Sequence, residues 1–508
     1  MDTLLGIDLG TSSIKIILAD RSGSVLCSTT KEYKLVTPNA GWAEQDPADW
    51  IQALHDGMNE LFTCFPNEAG RVQGIGITGQ MHGLVPVGLD GNPVCNAVLW
   101  ADRRCEEEVR ELESKIPLEK WMDTTGSRPN VSFTLPKILW MRRNQPDLFD
   151  RTAFFMLPKD FLRYYLTGIR ATDETDASAT LMYDIVNREW SQNILTAFTL
   201  DAERLPSVLS SSSQAGVLTD GPAKALGLSS GIPVICGAGD AEAQAIGNGI
   251  VRPNSWLCTI GTGGQIFTPV AQANTDRQGR IHTLCHGVSG MWHVMGATLS
   301  AGMSLQWLSR HILHMEGDGA YNELVDLVAH SRPGANGLIF LPYLFGERTP
   351  HMDDKAKGAF IGFNFHHMRK DMVRSVIEGV LFSLRECIDI MQEIGLPFPL
   401  SICMTGGAAE SIGWRQLAAD IFGVPVTRCT SRGGSAYGAI ILTAVGIGWF
   451  PTVEAAADSW VTAIDTVYPD DTAHEAYREL YEIFRDAYKN LQGTFAKLDD
   501  AAKKSPRS

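Results

Sequence analysis

No Gly-x-x-x-x-Gly-Lys-Ser/Thr loop occurs in the 508 residues, so a nucleotide cannot be held in the manner of a P-loop enzyme. Cysteine-pairing signals are missing too. The ten cysteines are scattered from Cys27 to Cys429, and no two have the two-residue spacing of a zinc knuckle or redox motif, which fits a reducing, cytoplasmic setting. The N-terminus, Met1–Leu9, carries Asp2 and Asp8 and lacks both a basic leader and a long apolar run, so neither a signal peptide nor a membrane span is expected. Positive charge is scarce: 43 Lys and Arg stand against 58 Asp and Glu, a net charge of −15. There is no basic run with interleaved aromatics, which argues against nucleic acid as a partner. An anionic ligand must therefore be held locally, by a metal ion, backbone N–H groups or a few placed cations.

What is present is enough for two cores, since 44% of the residues are hydrophobic and single cores stop growing near roughly 250–300 residues. The segment Thr3–Ser28 sets apolar runs (Leu4, Leu5, Ile7; Ile14, Ile16, Ile17, Leu18) around Gly10-Thr11-Ser12-Ser13, which predicts a β-hairpin with a small-residue turn. Asn254–Pro269 repeats the design around Gly261-Thr262-Gly263-Gly264, 251 residues further on. Val234–Gly239 and Ile402–Gly407 form a second matching pair, each a short apolar strand running into glycines. Each half then leads to a small-residue helix, with Ala241, Ala243, Ala245 and Gly247 in one and Ala436, Gly438, Ala439 and Ala444 in the other. Small side chains permit close approach of two crossing helices. One glycine turn alone is an ordinary hairpin; four elements in one repeated order predict duplication.

The expected domains are residues 1–249 and 250–508, with surface loops over Ser207–Gly231. A long amphipathic helix is expected from about 471 to 496, capped by Asp470 or Asp471, and the polar tail Asp499–Ser508 is expected to fray.

Phosphoryl transfer from a nucleotide needs donors around the phosphates, a divalent cation and a base at the attacking hydroxyl. The turn Gly10–Ser13 can point backbone N–H groups and the hydroxyls of Thr11 and Ser12 into one concavity, with Lys15 as a nearby cation. Asp8 would face the same space and repel phosphates unless a cation intervened. It is assigned to Mg²⁺, through coordinated water, with a plain turn cap as the alternative. Asp240 follows Gly237-Ala238-Gly239 and opens a helix, where it can act as the base or simply cap the helix; an N-terminal position predicts a depressed proton affinity. Gln80, Met81 and His82 end the alternating strand Val72–Thr78 and offer a sugar amide, thioether and imidazole groups, although a lone histidine is more often structural. Trp100 could stack on a sugar face or lie in the core. Asp102 and Arg103 could contact hydroxyls or each other.

These residues resemble the FGGY carbohydrate kinases, a branch of the actin-like and Hsp70-like ATPase superfamily, from Leu5 to at least residue 448. The family's first signature is matched by Ser132–Asn144 (SFTLPKILWMRRN) and its second by Gly358–Gly362 through Asp371 to Glu378, with Phe363 a mild departure. Gly79–Gly83, Leu157–Asp160 and Leu341–Leu344 with Gly346–His351 are most similar to the xylulokinase branch. The resemblance implies an α/β fold of two ribonuclease-H-like domains flanking a deep cleft, with sugar on the first and ATP·Mg²⁺ on the second. It implies that Asp240 is the base, Asp8 the Mg²⁺-associated carboxylate, and Met81, His82 and Trp100 sugar contacts. Gly261, Thr262 and Gly263 become a phosphate loop, Gly406, Gly407 and Ser411 lie near adenosine, and Gly302 lines the nucleotide side. The implied reaction is ATP-dependent phosphorylation of a small ketose, D-xylulose first; ribulose or a tetritol is the alternative, and a sugar sensor or chaperone-like ATPase the distant one. A homodimer is compatible with the family. Two departures stand out: Ala241, followed by Glu242, replaces the Asn usual after the base, and Glu410 replaces a common Arg.

Overall fold

The computed structural model describes residues 2–504 apart from 316, 318 and 430–432. Thr3–Leu9 (β1), Ser13–Asp20 (β2), Val25–Glu32 (β3), Val72–Gly79 (β4), Gln214–Val217 (β5) and Pro233–Gly239 (β6) form one sheet in the order β5-β6-β4-β1-β2-β3. Leu257–Ile260 (β7), Gly264–Val270 (β8), His282–Cys285 (β9), Trp292–Thr298 (β10), Ile402–Thr405 (β11), Val426–Cys429 (β12) and Ala463–Val467 (β13) form the second, in the order β9-β10-β8-β7-β11-β12-β13. Without the edge strands β5, β9 and β13, the two sheets share one plan. A first strand pairs antiparallel with a second and the second with a third, while a fourth joins the first in parallel and a fifth joins the fourth. This is the ribonuclease-H-like plan, present twice.

The plan corrects one sequence pairing. Ile402–Thr405 lies beside the first strand of its sheet and so corresponds to Val72–Gly79, whereas Pro233–Gly239 is a fifth strand and corresponds to Val426–Cys429. Both mismatched segments are apolar runs ending in glycine, and only the sheet order separates them. The Ser207–Gly231 region is also more ordered than expected. It supplies β5 and a helix at Asp220–Leu226, and the Ser213 and Ser211 carbonyls accept from the Cys236 and Gly237 N–H groups at 2.9 Å each.

On the first sheet, helix α1 (Pro47–Cys64) buries Trp50, Ala53, Leu54, Gly57, Met58 and Leu61 at helical spacing, and Asp46 caps it by accepting from the Ala48 N–H at 2.9 Å. Helices α2 (Asp240–Gly247), α3 (Arg369–Glu393), α4 (Ser435–Gly446) and α5 (Asp471–Lys504) complete the frame. The small residues of α2 and α4 let these helices cross almost backbone to backbone: a Cβ at Gly438 would lie 1.8 Å from the Ala243 carbonyl oxygen. Each crossing helix lies on the other half's sheet. Gly6 and Gly76 of the first sheet sit under the Ala436 and Ala439 carbonyls of α4, while Ala245 of α2 is buried with Leu257, Phe267 and Met295 of the second.

Helix α5 begins where expected, the Ala473 N–H donating to Asp470 at 2.8 Å, but runs on to Lys504. The expected fraying from Asp499 does not occur over residues 499–504. Phe495 is buried, and Lys357 pairs with Asp499 at 2.9 Å and Lys355 with Asp500 at 3.6 Å. Residues 505–508 of that expectation lie outside the described residues. Among the described residues no helix is long and apolar enough to cross a membrane.

Candidate active site

Both halves line one cleft of about 570 Å³. From the first half come Thr11, Met81, His82, Trp100 and Asp240; from the second come Thr259, the turn Gly261–Gly264, Thr298 and Met303. The two hairpin turns thus meet across the crossing helices, each closed by a backbone bond of 3.0 Å, Gly10 N–H to Ser13 and Gly261 N–H to Gly263.

Asp240 is the first residue of α2, with Gly239 at the cap position. The expected depression of its proton affinity is overturned: burial, and then the negative charge of Asp8, push its carboxyl up to about 7 and outweigh the backbone N–H groups of the helix start. Asp8 lies at the end of β1, opposite Lys15 of β2 in the ladder. Burial pushes it up to about 6 against the pull of Lys15, and its Oδ1 is shielded from solvent with no hydrogen-bond partner among the described residues. An orphaned carboxylate oxygen beside a second carboxylate suits a hydrated divalent cation.

His82 takes a left-handed backbone, φ +65°, which turns its ring into the cleft. Its Nδ1 lies 2.8 Å from the Ala179 carbonyl and must carry the hydrogen, while burial pulls its affinity down to about 3, so the ring is neutral with Nε2 free to accept. The His82 carbonyl, with those of Val131, Ser132 and Phe133, surrounds the buried Lys137 ammonium, at 2.8 Å for Phe133 and 3.2 Å for Val131. Burial pulls Lys137 down to about 8. Trp100 lines the cleft, and its Nε1–H donates to the Thr11 hydroxyl at 3.0 Å.

Other expected residues stand behind the wall. Gln80 is fully buried and donates to Gln45 at 3.0 Å; Gln45 in turn donates to the Thr11 carbonyl at 2.6 Å, so the pair braces the first turn from beneath. Asp102 is likewise buried, its carboxylate accepting from the Ala43 N–H at 2.6 Å and from the Arg104 side chain at 2.7 and 2.9 Å. It does not line the cleft. Gly302 fits against the second turn, where a Cβ would meet the Gly261 carbonyl at 2.5 Å. Gly10, Ser12 and Lys15 belong to the first hairpin without lining the cleft, and Gly406, Gly407 and Ser411 follow β11, Ser411 capping the helix Ile412–Phe422. Glu410, where the resemblance led to an Arg, is paired with Arg428 from the neighbouring strand.

Sequence reasoning missed Asn130, Ser132, Phe133, His282 and Arg348 on the cleft wall. Arg348 of the second half donates to the Ser132 hydroxyl of the first at 2.7 Å, joining the halves over the opening. Its signal was present in the Gly346–His351 segment. Ala241 lines the cleft beside Asp240, whereas Glu242 is buried with its Oε1 3.4 Å from His293 Nε2. Burial pushes that carboxyl well up and the imidazole well down.

Residues 3–247 match the N-terminal domain of the FGGY family of carbohydrate kinases and residues 256–447 its C-terminal domain. The chain is 39% identical to a xylulose kinase of Staphylococcus epidermidis over 98% of both chains, and 36% identical to a xylulose kinase of Bacillus subtilis over 97% of this chain and 98% of that one. The crystal structure of a xylulose kinase from Rhodospirillum rubrum superposes with a TM-score of 0.90 at 28% identity, covering 97% of this chain and all of that one. With two ribonuclease-H-like sheets, a shared cleft and both family domains matched in order, the chain belongs to the FGGY family of carbohydrate kinases.

Proposed function

We propose that the protein transfers the γ-phosphoryl group of ATP to the terminal hydroxyl of D-xylulose, giving ADP and D-xylulose 5-phosphate. The observation that carries this reading is Asp240, the acidic residue of a cleft lining that also takes Met81, His82 and Trp100 from the first half and the turn Gly261–Gly263 from the second. Asp240 would orient the hydroxyl and take its proton late in a loose transfer. His82 Nε2 would accept a sugar hydroxyl and Trp100 would cover a carbon face. Residues 1–249 would hold the sugar and residues 250–508 the nucleotide, with Gly261, Thr262 and Gly263 at the phosphates and Gly406, Gly407 and Ser411 toward the adenosine. Asp8, through water, would hold Mg²⁺, which supplies charge neutralisation at the phosphate oxygens. Closure about the crossing helices would exclude water. Support for the sugar comes from the xylulose kinases similar to the chain over nearly its whole length.

Ala241 favours one other reading, a neighbouring ketose or tetritol, because a methyl group lines the cleft next to the base. ADP release measured across pentuloses and tetritols at limiting concentration tests both. The highest kcat/KM with D-xylulose is expected; a preference for ribulose or a tetritol would replace it.

A further inference from the structure

The strand that delivers Asp240 is irregular. β6 loses register with β4 between Ile235 and Ala238, and inside the break Gly237 has φ +80°, with the place of a Cβ only 1.6 Å from the Ile77 carbonyl oxygen. Such a break leaves backbone groups that the ladder would otherwise satisfy. Inside it, Arg163, a side chain that does not line the cleft, donates to the Cys236 carbonyl at 2.7 Å; just past it, where Gly239 again faces Gly79 in the ladder, the Gly239 N–H donates to the Thr175 hydroxyl, also off the cleft wall, at 2.8 Å.

Thr175 is itself held tightly. It is wholly buried, and its hydroxyl donates at 2.5 Å to Asp173 Oδ2, an oxygen that also accepts from the Thr175 N–H at 2.9 Å. The other Asp173 oxygen accepts from Lys159 at 2.7 Å. Asp160, Asp173 and Asp176 bring carboxylate oxygens within 4.8 Å of one another, a spacing that would suit a metal ion. That position is filled by the protein's own cation, since Lys159 Nζ lies 2.8, 2.7 and 3.1 Å from the three. The hydroxyl proton of Thr175 is thus committed to an anion fixed by a buried ammonium, which strengthens the same oxygen as an acceptor for Gly239.

We propose that Thr175 is a positioning residue for phosphoryl transfer: by fixing the Gly239 N–H it sets the aim of the adjoining Asp240 carboxylate. The inference rests on the reading of Asp240 as the base. A misplacement of about 1 Å at a reacting group can cost on the order of a hundredfold in rate, so small losses of aim are measurable.

The test is Thr175→Val, which keeps the shape and removes the hydroxyl, assayed by sugar-dependent ADP release. Folding is checked by circular dichroism. A fall in kcat of roughly ten- to a hundredfold is expected, with the KM for sugar and for MgATP within about twofold of wild type, and Thr175→Ser should restore most of the loss. Should the valine variant fail to fold, Thr175→Cys, whose thiol is a weak acceptor, carries the same expectation. Unchanged kcat in a folded variant, or a loss confined to sugar KM, overturns the proposal. A wild type inert with every ketose would instead overturn the proposed function, whereas an active wild type beside an undiminished variant overturns the role of Thr175 alone.

Discussion

The two hairpin turns are built on one frame and furnished oppositely. Before the first turn Asp8 stands across the ladder from Lys15; before the second, at the matching place, Thr259 stands across from Gln265. One turn is bordered by a charge pair with an orphaned carboxylate oxygen, the other by a neutral hydroxyl and amide. In the proposed reaction a duplicated scaffold would thereby separate two tasks: the first turn would sit among groups that manage charge and protons, and the second would offer phosphate a turn with no carboxylate at the matching ladder position.

The most severe way to break this division is to remove Asp240, the proposed base. Asp240→Ala should lose at least about a hundredfold in kcat, measured as ketose-dependent ADP release, with MgATP KM little changed because the second turn is untouched. Near-normal turnover in a folded variant would show that the first half does not own the proton chemistry. Asp8→Asn comes next, since it removes the first turn's carboxylate, a group the second turn lacks, and leaves Lys15 in place. Its kcat should fall by roughly ten- to a hundredfold, the lower range for losing a placed charge, and more Mg²⁺ should be needed for half-maximal rate.

The same variant has a pH signature. In wild type without nucleotide, burial and then Asp8 raise Asp240 to about 7. The base is thus protonated below that pH, and kcat/KM for the sugar should rise through it. Asp8→Asn removes one of the two causes, so the acid limb should move to lower pH. A limb that stays in place would mean that the carboxylates do not feel each other.

How much of this was legible in the sequence depended on the range of the cause. The hairpins, the crossing helices, and the places of Asp8 at the end of a strand and Asp240 at the start of a helix could be read because alternation, glycine turns and small-residue runs are local signals. Ile402 and Val234 were mispaired because strand order is decided by the whole sheet. Gln80 and Asp102 lie behind the cleft lining on Gln45 and Arg104, partners 35 and 2 residues away whose geometry no motif prints. Arg348 reaches Ser132 across 216 residues, so only the closed fold could place it in the cleft. The tail was misread because its ion pairs with Lys355 and Lys357 lie in another segment.

What the halves share, the backbone contact between α2 and α4, is broken differently. Gly438→Ala would put a methyl 1.8 Å from the Ala243 carbonyl. The backbone must move, with a loss of about 1–3 kcal/mol or more, visible as a lower Tm. Gly493→Ala in α5, where a Cβ meets open space, should by contrast raise stability by about 0.5–1 kcal/mol. Equal effects at the two sites would mean that helix propensity, rather than the crossing, governs Gly438.

The smallest effect bears most finely on the two turns. Thr11 and its counterpart Thr262 are supported by different means: the Thr11 hydroxyl receives Trp100 Nε1–H at 3.0 Å, while the Thr262 carbonyl receives the Ala301 and Met303 N–H groups at 3.0 and 3.2 Å. Trp100→Phe removes one side-chain hydrogen bond and keeps a ring on the wall, so sugar KM should rise only about two- to tenfold, the equivalent of about 0.5–1.5 kcal/mol, with kcat within about twofold. Because the bond ends on Thr11, Thr11→Val should add little to Trp100→Phe, whereas Thr262→Val should combine with it additively. Additivity at both threonines would deny the link between Trp100 and the first turn. Coupling at Thr262 would mean that the turns act as one unit across the cleft, and that their division of labour is less complete than their furnishing implies.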